Sequence, residues 1–242
     1  MLKRLFSIML AVVVISGMFT GCGSSSAKNN QTTKNDSAEK SSDINSSSNA
    51  VTEAVQNNTD NENILIAYFS VPENGDTDGI DANSGASIVV KNKDVLGNMQ
   101  YMAMTIQEAI GGELFRIETK EKYPLEHETL VNQAKEEQNE EVRPELATHI
   151  ENVEQYDMIF LGYPNWWGDM PQPLYTFLEE YDFSGKTIIP FNSHGGSGFS
   201  NTIEEIKKLQ SNATVRDDGL SISRNDVADS EQEITDWAKG LQ

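Results

Sequence analysis

Cysteine is nearly missing. Cys22 is the only one among 242 residues, which excludes an internal disulfide and a Cys-x-x-Cys redox pair. Histidine is almost as scarce, with three in all; His127 and His149 fall on expected surface elements, form no metal pattern and read as structurally neutral. Basic residues are outnumbered, 18 against 38 acidic ones, for a net charge of −20. Of these, 13 basic and 33 acidic side chains lie in residues 62–242, so that part alone carries the whole net charge. Such a surface has no general affinity for nucleic acid phosphates; it favours a basic partner or a cationic substrate, or simply keeps the protein in solution. Long apolar runs are lacking as well. The longest, from Leu5 to about Phe19, has some fifteen residues, short of the ~20 that cross a bilayer comfortably.

That run has its own meaning. Lys3 and Arg4 precede it, and Gly21 sits directly before Cys22. A basic start, a short apolar stretch and small residues at the end describe a secretory signal over residues 1–22. The position of Cys22 resembles the lipobox of bacterial lipoproteins, which implies lipidation of that cysteine and an extracytoplasmic, membrane-anchored protein. Residues 23–61 are Ser, Asn, Thr, Lys and Asp with no sustained apolar period. They cannot bury enough apolar surface to offset their ordering entropy, and they read as a disordered tether. Residues 62–242 are long enough for one domain with a substantial core.

Within that domain, apolar runs of strand length alternate with helical patterns. Ile64–Phe69 reads as a strand ending at Ser70. A long polar insertion, Val71 to Leu96, follows it. Met102, Ala103, Ile106 and Ile110 then share one helical face, and Gly111-Gly112 supplies the stop. Leu114–Glu118 reads as a strand and Leu125 to about Asn139 as a polar, exposed helix. Met158–Leu161 is a strand buried on both faces, running into the turn formers Gly162-Tyr163-Pro164-Asn165. Pro171 and Pro173 suit the opening of a helix with Leu174, Phe177 and Leu178 inward. Thr187–Phe191 is the next strand, where Pro190 predicts a bulge or strand end. A helix over 201–209 and a short strand within 213–221 follow. A terminal helix opens on a Ser230/Glu233 capping box and buries Ile234, Trp237 and Leu241. Five such alternations imply a doubly wound α/β domain with a five-stranded parallel sheet.

In such sheets, ligands sit beyond the carboxyl ends of the strands. Three unusual loops follow the first, third and fourth strands and would meet at that edge. They are Ser70 with Gly97-Asn98-Met99-Gln100, then Pro164-Asn165-Trp166-Trp167-Gly168, then Ser193-His194-Gly195-Gly196-Ser197-Gly198. Two adjacent indoles in a turn are rarely left there unless something flat packs on them. Together these segments resemble the flavodoxin-like proteins that bind flavin mononucleotide (FMN), over essentially all of residues 63–242. The resemblance implies the strand order 2-1-3-4-5 and FMN as cofactor.

On that resemblance, the first loop takes the phosphate. The N-terminus of a helix offers unpaired amides and about half a positive charge, so no lysine or arginine is needed there. Related sequences usually show Thr-Gly-Asn-Thr where this chain has Leu96-Gly97-Asn98-Met99, so two hydroxyl donors are missing. The second loop is the counterpart of the isoalloxazine loop, with Trp167 as the stacking ring, Trp166 half in the core and Gly168 open to the flavin's reactive edge. The third brings glycine backbone, and His194 as a hydrogen-bond donor, to the far side of the ring. Asp76, Asp78, Gly79 and Asp81 are spaced like part of a calcium loop, but Ser87 stands where the bidentate glutamate belongs; the insertion reads as a solvated flap.

The function implied is electron transfer by bound FMN to a redox partner protein or small acceptor. A carboxylate about 10 Å from the ring opposes added negative charge by about 1.7 kcal/mol at an effective dielectric near 20, so an acidic surround makes the reduced cofactor a stronger donor. Two alternatives stand beside it: an FMN-dependent NAD(P)H or quinone oxidoreductase, and a flavin-free binding module on the same fold. The N-terminal reading is tested by Cys22→Ala. It is expected to abolish incorporation of labelled fatty acid and to release the full chain from the membrane fraction; undiminished labelling would contradict the lipid anchor.

Overall fold

The structure is a computed structural model that describes residues 63–72 and 87–242. The signal, Cys22, the tether and the Asp76–Asp81 segment lie outside the described residues.

Five core strands form one parallel sheet. β1 (Ile64–Tyr68) pairs with β4 (Glu113–Arg116) on one side and β5 (Met158–Pro164) on the other. β6 (Thr187–His194) lies beyond β5. The fifth position is shared by β7 (Thr214–Val215) and β8 (Leu220–Ser223), both parallel to β6. Counted along the chain, these core strands run 2-1-3-4-5, the order the resemblance implies. The direction of winding therefore reverses between β1 and β5, and the crevice rule applies at their carboxyl ends.

Alternation along each strand divides the core in two. Ile64, Ile66 and Phe160 point to one face, where α1 (Asn98–Ile110) brings Met99, Met102 and Ile106, and α5 (Glu231–Lys239) brings Ile234 and Ala238. Leu65, Ala67, Ile159 and Leu161 point to the other. There they meet Leu130 of α2 (His127–Glu140), Leu174 and Phe177 of α3 (Gln172–Glu180), and Ile206 of α4 (Thr202–Leu209). Burial of each such side chain is worth roughly 1.5–3 kcal/mol, which explains why β1 and β5 are apolar along Ile64–Ala67 and Met158–Leu161.

Four expectations change here. β5 does not stop at Leu161 but continues through Gly162, Tyr163 and Pro164, each paired with β6. Gly162 is no turn former: a Cβ there would overlap the buried Phe191 ring on the next strand. Pro190 marks neither a bulge nor an end of β6, which is continuous to His194. The Ile188 carbonyl accepts from Arg216 and the His194 carbonyl from Arg224, so even-numbered residues of β6 face the fifth strand. The amide that proline lacks therefore points at the gap between β7 and β8, and the break lies in the neighbour.

The insertion does not end as a plain flap. β2 (Ile88–Lys91) and β3 (Asp94–Gly97) form an antiparallel hairpin turning at Asn92-Lys93, both at positive φ as a primed turn requires. Lys91 reaches Glu231 at 2.9 Å, tying the hairpin to the start of α5. Finally, the capping box at Ser230 does not form. Its hydroxyl donates instead to the Asp226 carbonyl, 2.8 Å away, closing the 3₁₀ turn Val227–Asp229 that precedes α5.

Gly162→Ala is expected to destabilise the domain by about 1–3 kcal/mol, because Phe191 has no free volume into which to move. Urea unfolding measures this, and an unchanged midpoint would contradict the packing described.

Candidate functional site

β1, β5 and β6 end on the same edge of the sheet, and a cavity of about 620 Å³ opens there. Its wall takes Val71, Pro72 and Ser87 from the first connection, Pro164 to Gly168 from the end of β5 and the loop beyond it, and Ser193 to Ser197 from the end of β6 and its loop. One stripe of α2 and Arg224 complete it.

The loop after β5 is built from Asn165 outward. Its amide donates to the Ser193 carbonyl at 2.8 Å, which extends the β5–β6 ladder one step past the strand. Its side-chain oxygen accepts from Gly168 N at 3.0 Å, while its side-chain nitrogen donates to the Gly198 carbonyl at 2.9 Å and to Ser200 Oγ at 3.0 Å. Both ends of the Asn165 amide are thus engaged within the protein. Trp166 and Asp169 exchange backbone hydrogen bonds at 2.9 and 3.1 Å, leaving Trp167 and Gly168 at the corner of a tight turn. Trp167 has φ 55° and Gly168 φ 78°. Left-handed backbone is uncommon for a bulky side chain and points to a constraint imposed by the surroundings.

The two indoles have different surroundings. Trp166 is half-buried, edge-on to Phe69 and Tyr123 at centroid distances of 5.5 and 5.4 Å. Tyr123 in turn donates to Glu137 at 2.6 Å, and its burial, then that carboxylate, push the phenol far above its usual range. Trp167 is 54 % exposed. Its Nε1 donates to the Val131 carbonyl at 2.8 Å and the Lys135 ammonium lies 5.5 Å from the ring centre. Asp169 fixes the far side of the turn, accepting from Met170 N at 2.7 Å and Tyr175 Oη at 2.8 Å. Burial first, and then the bond to Asp169, raise the Tyr175 phenol's pKa.

After β6, His194 Nδ1 accepts the Gly196 amide at 2.9 Å. That contact occupies the Nδ1 lone pair, so the ring proton of neutral His194 sits on Nε2, the nitrogen left to donate. Gly195 and Gly196 have open space where a side chain would stand, so a ligand can approach their backbone closely, although the Gly196 amide is already taken by His194. Gly198 does not line the cavity. Its carbonyl collects Asn165 and Asn192, at 2.9 and 3.0 Å, and Asn192 is itself held by the Ser221 hydroxyl at 2.6 Å.

The first loop is placed differently from the other two. Ser70, Asn98 and Met99 are buried, and none of Ser70, Gly97, Asn98, Met99 or Gln100 lines the cavity. Ser70 Oγ donates to the Pro72 carbonyl at 3.4 Å, and a Cβ on Gly97 would overlap both of those oxygens. The Gln100 side chain takes the Gly97 N–H at 3.2 Å, and Asn98 Nδ2 donates to the Arg224 carbonyl at 3.0 Å.

Three features of the wall were not foreseen. Arg224 places a guanidinium at a site expected to lack basic residues; it follows β8, whose end lies beyond the 213–221 window given to the last strand. His127 belongs to the wall rather than to an indifferent surface, because His127, Leu130, Val131 and Ala134 fall at i, i+3, i+4 and i+7 on α2. Ser87 enters through the hairpin. His149, by contrast, is a surface residue paired with Glu180 at 2.6 Å.

The chain's likeness to known proteins agrees with this layout. Residues 87–241, well over half the chain, match the family model described as Flavodoxin. A candidate flavoprotein from Bacteroides eggerthii is 26% identical with a TM-score of 0.54, covering 75% of this chain and 98% of its own. Another from Bacteroides uniformis is 26% identical with a TM-score of 0.53, covering 74% and 99%. A flavoprotein from Lactobacillus acidophilus, solved in complex with FMN, is 17% identical with a TM-score of 0.47, covering 72% and 99%. No curated protein matches. From its sheet order, its crevice and the matched family model, this chain belongs to the flavodoxin family.

Proposed function

We propose that this chain binds FMN in the crevice at the carboxyl edge of its sheet and carries electrons, tethered to the outer face of a membrane through lipidated Cys22. One observation carries the reading: the exposed Trp167 indole and the bare backbone of Gly195 and Gly196 line the same cavity. That donor set fits a flat, polar-edged ring system. When bound, FMN supplies one- and two-electron redox chemistry to the site.

The residues of the chain then divide the work. Trp167 offers a ring face, held at its angle by Val131 and by the turn that Asn165 and Asp169 close. Gly195 leaves its amide accessible to a ring carbonyl, while the Gly196 amide is held by His194 Nδ1 and shapes the loop. His194 donates from Nε2. Trp166 is a positioning residue, fixing the loop to Phe69 and Tyr123. The acidic surface disfavours added negative charge within the crevice and provides a docking face for a basic partner.

The apolar stripe of α2 favours a second reading. Leu130, Val131 and Ala134 extend the wall away from the glycine loop, and room of that character suits a small hydrophobic acceptor such as a quinone. Turnover with a pyridine nucleotide and a quinone, without any partner protein, would select this reading over the carrier.

Titration of the full chain with FMN tests the site. The expected outcome is uptake of one FMN per chain with quenched flavin fluorescence. In Trp167→Ala the affinity falls about tenfold, from the loss of ring stacking, and the fluorescence partly returns. In Trp166→Ala the thermal midpoint falls instead, from the loss of aromatic packing. Absence of uptake by the wild-type chain would contradict the proposal.

A further inference from the structure

Arginines of the described residues are almost all neutralised. Arg116 pairs with Glu118 at 2.9 Å, Arg143 with Glu179 at 2.8 Å and Arg216 with Asp218 at 2.5 Å. Arg224 is the exception. It lines the cavity, it is half-buried, and among the described residues its guanidinium makes no ion pair or hydrogen bond. In a chain of net charge −20, a cavity arginine without a carboxylate partner is available to an anion supplied from outside.

Its backbone is pinned from two sides. Arg224 N donates to the His194 carbonyl at 2.8 Å, and its own carbonyl accepts from Asn98 at 3.0 Å. The residue therefore sits where the glycine loop meets the start of α1. Ser87 also lines the cavity, one residue before β2, and β2 packs on the 3₁₀ turn that begins three residues after Arg224. At the start of α1, the Gly97 amide is taken by Gln100, the Ser70 hydroxyl is turned to Pro72, and the Asn98 side-chain nitrogen is held by the Arg224 carbonyl.

We infer that Arg224, with Ser87 on the wall of the same cavity, holds the phosphate of the bound flavin nucleotide, in place of the hydroxyls that Leu96 and Met99 do not supply. The inference rests on the FMN reading above. A guanidinium presents a rigid fork of donors to phosphate oxygens, and such charge-assisted bonds are about twice as strong as neutral ones. Binding should then depend on charge in a way that a helix N-terminus alone would not produce.

The test compares FMN with riboflavin, which has the same ring and no phosphate, on the full chain and on Arg224→Ala and Arg224→Lys. Wild type is expected to prefer FMN. Arg224→Ala is expected to lose about 10–100-fold in FMN affinity, with riboflavin affinity changed less than about twofold and a flatter dependence on salt. Arg224→Lys should fall between the two, keeping the charge without the fork. Equal FMN affinity in wild type and Arg224→Ala would overturn the phosphate role and leave the FMN reading standing. Parallel loss of both flavins in Arg224→Ala would also overturn it, assigning Arg224 to the frame of the loop. Wild type that takes up neither flavin would remove the FMN reading and this inference with it.

Discussion

The site depends on the register between β5 and β6. These strands pair at seven successive positions, from Met158 opposite Thr187 to Pro164 opposite Ser193, and the Asn165 amide adds one more rung. A slip of one residue would turn every side chain of a strand to the other face. It would drive Phe191 against a residue with a Cβ and remove Gly162 from the one place where its bareness is used. With the register fixed, the two loops leave the sheet side by side, and Asn165 fastens them to each other through Gly168, Gly198 and Ser200. A residue whose type suggests ligand contact is therefore committed to framing.

The tryptophan pair shows the same separation between frame and surface. In this turn the two neighbouring indoles have different surroundings, so one ring is anchored while the other is presented. Trp166 takes the anchor, wedged against Phe69 and Tyr123. Trp167 takes the presented position, at the cost of left-handed backbone. Three fixed points hold it there: the Asn165 oxygen on Gly168, the Val131 carbonyl on the indole nitrogen, and the paired amides of Trp166 and Asp169. Strain of this kind persists only when its surroundings determine it several times over.

Much of this was legible in the sequence, and the unread parts have physical reasons. The central strands were plain because both of their faces are buried, so Ile64–Tyr68 and Met158–Leu161 read as unbroken apolar runs. The meeting of the tryptophan and histidine loops followed from strand alternation alone. Gly162 and Pro190 misled because their local propensities speak of turns, whereas their tertiary reasons are the Phe191 ring and the gap between β7 and β8. The capping box at Ser230 failed because the residue closes the preceding 3₁₀ turn, with φ −99° and ψ 17° rather than the extended backbone of an N-cap, and its hydroxyl is turned back to the Asp226 carbonyl. Arg224 was missed since the fifth strand is broken and ends later than a single short run suggests. The α2 stripe was visible as a spacing, but nothing local indicated that it faced the cavity.

What emerges is a crevice whose two loops are fastened to each other from within and whose ligand-facing groups are few: an indole face, a glycine turn, a histidine nitrogen and a guanidinium. Amide chemical-shift mapping on isotope-labelled protein tests that account most directly, because it reports every backbone position except the prolines as FMN is added. Shifts concentrated at Trp167, Gly168 and His194 to Ser197, with little change at Gln172–Glu180, which does not line the cavity, are the predicted result. Shifts scattered elsewhere, or none, would contradict the assignment of this crevice.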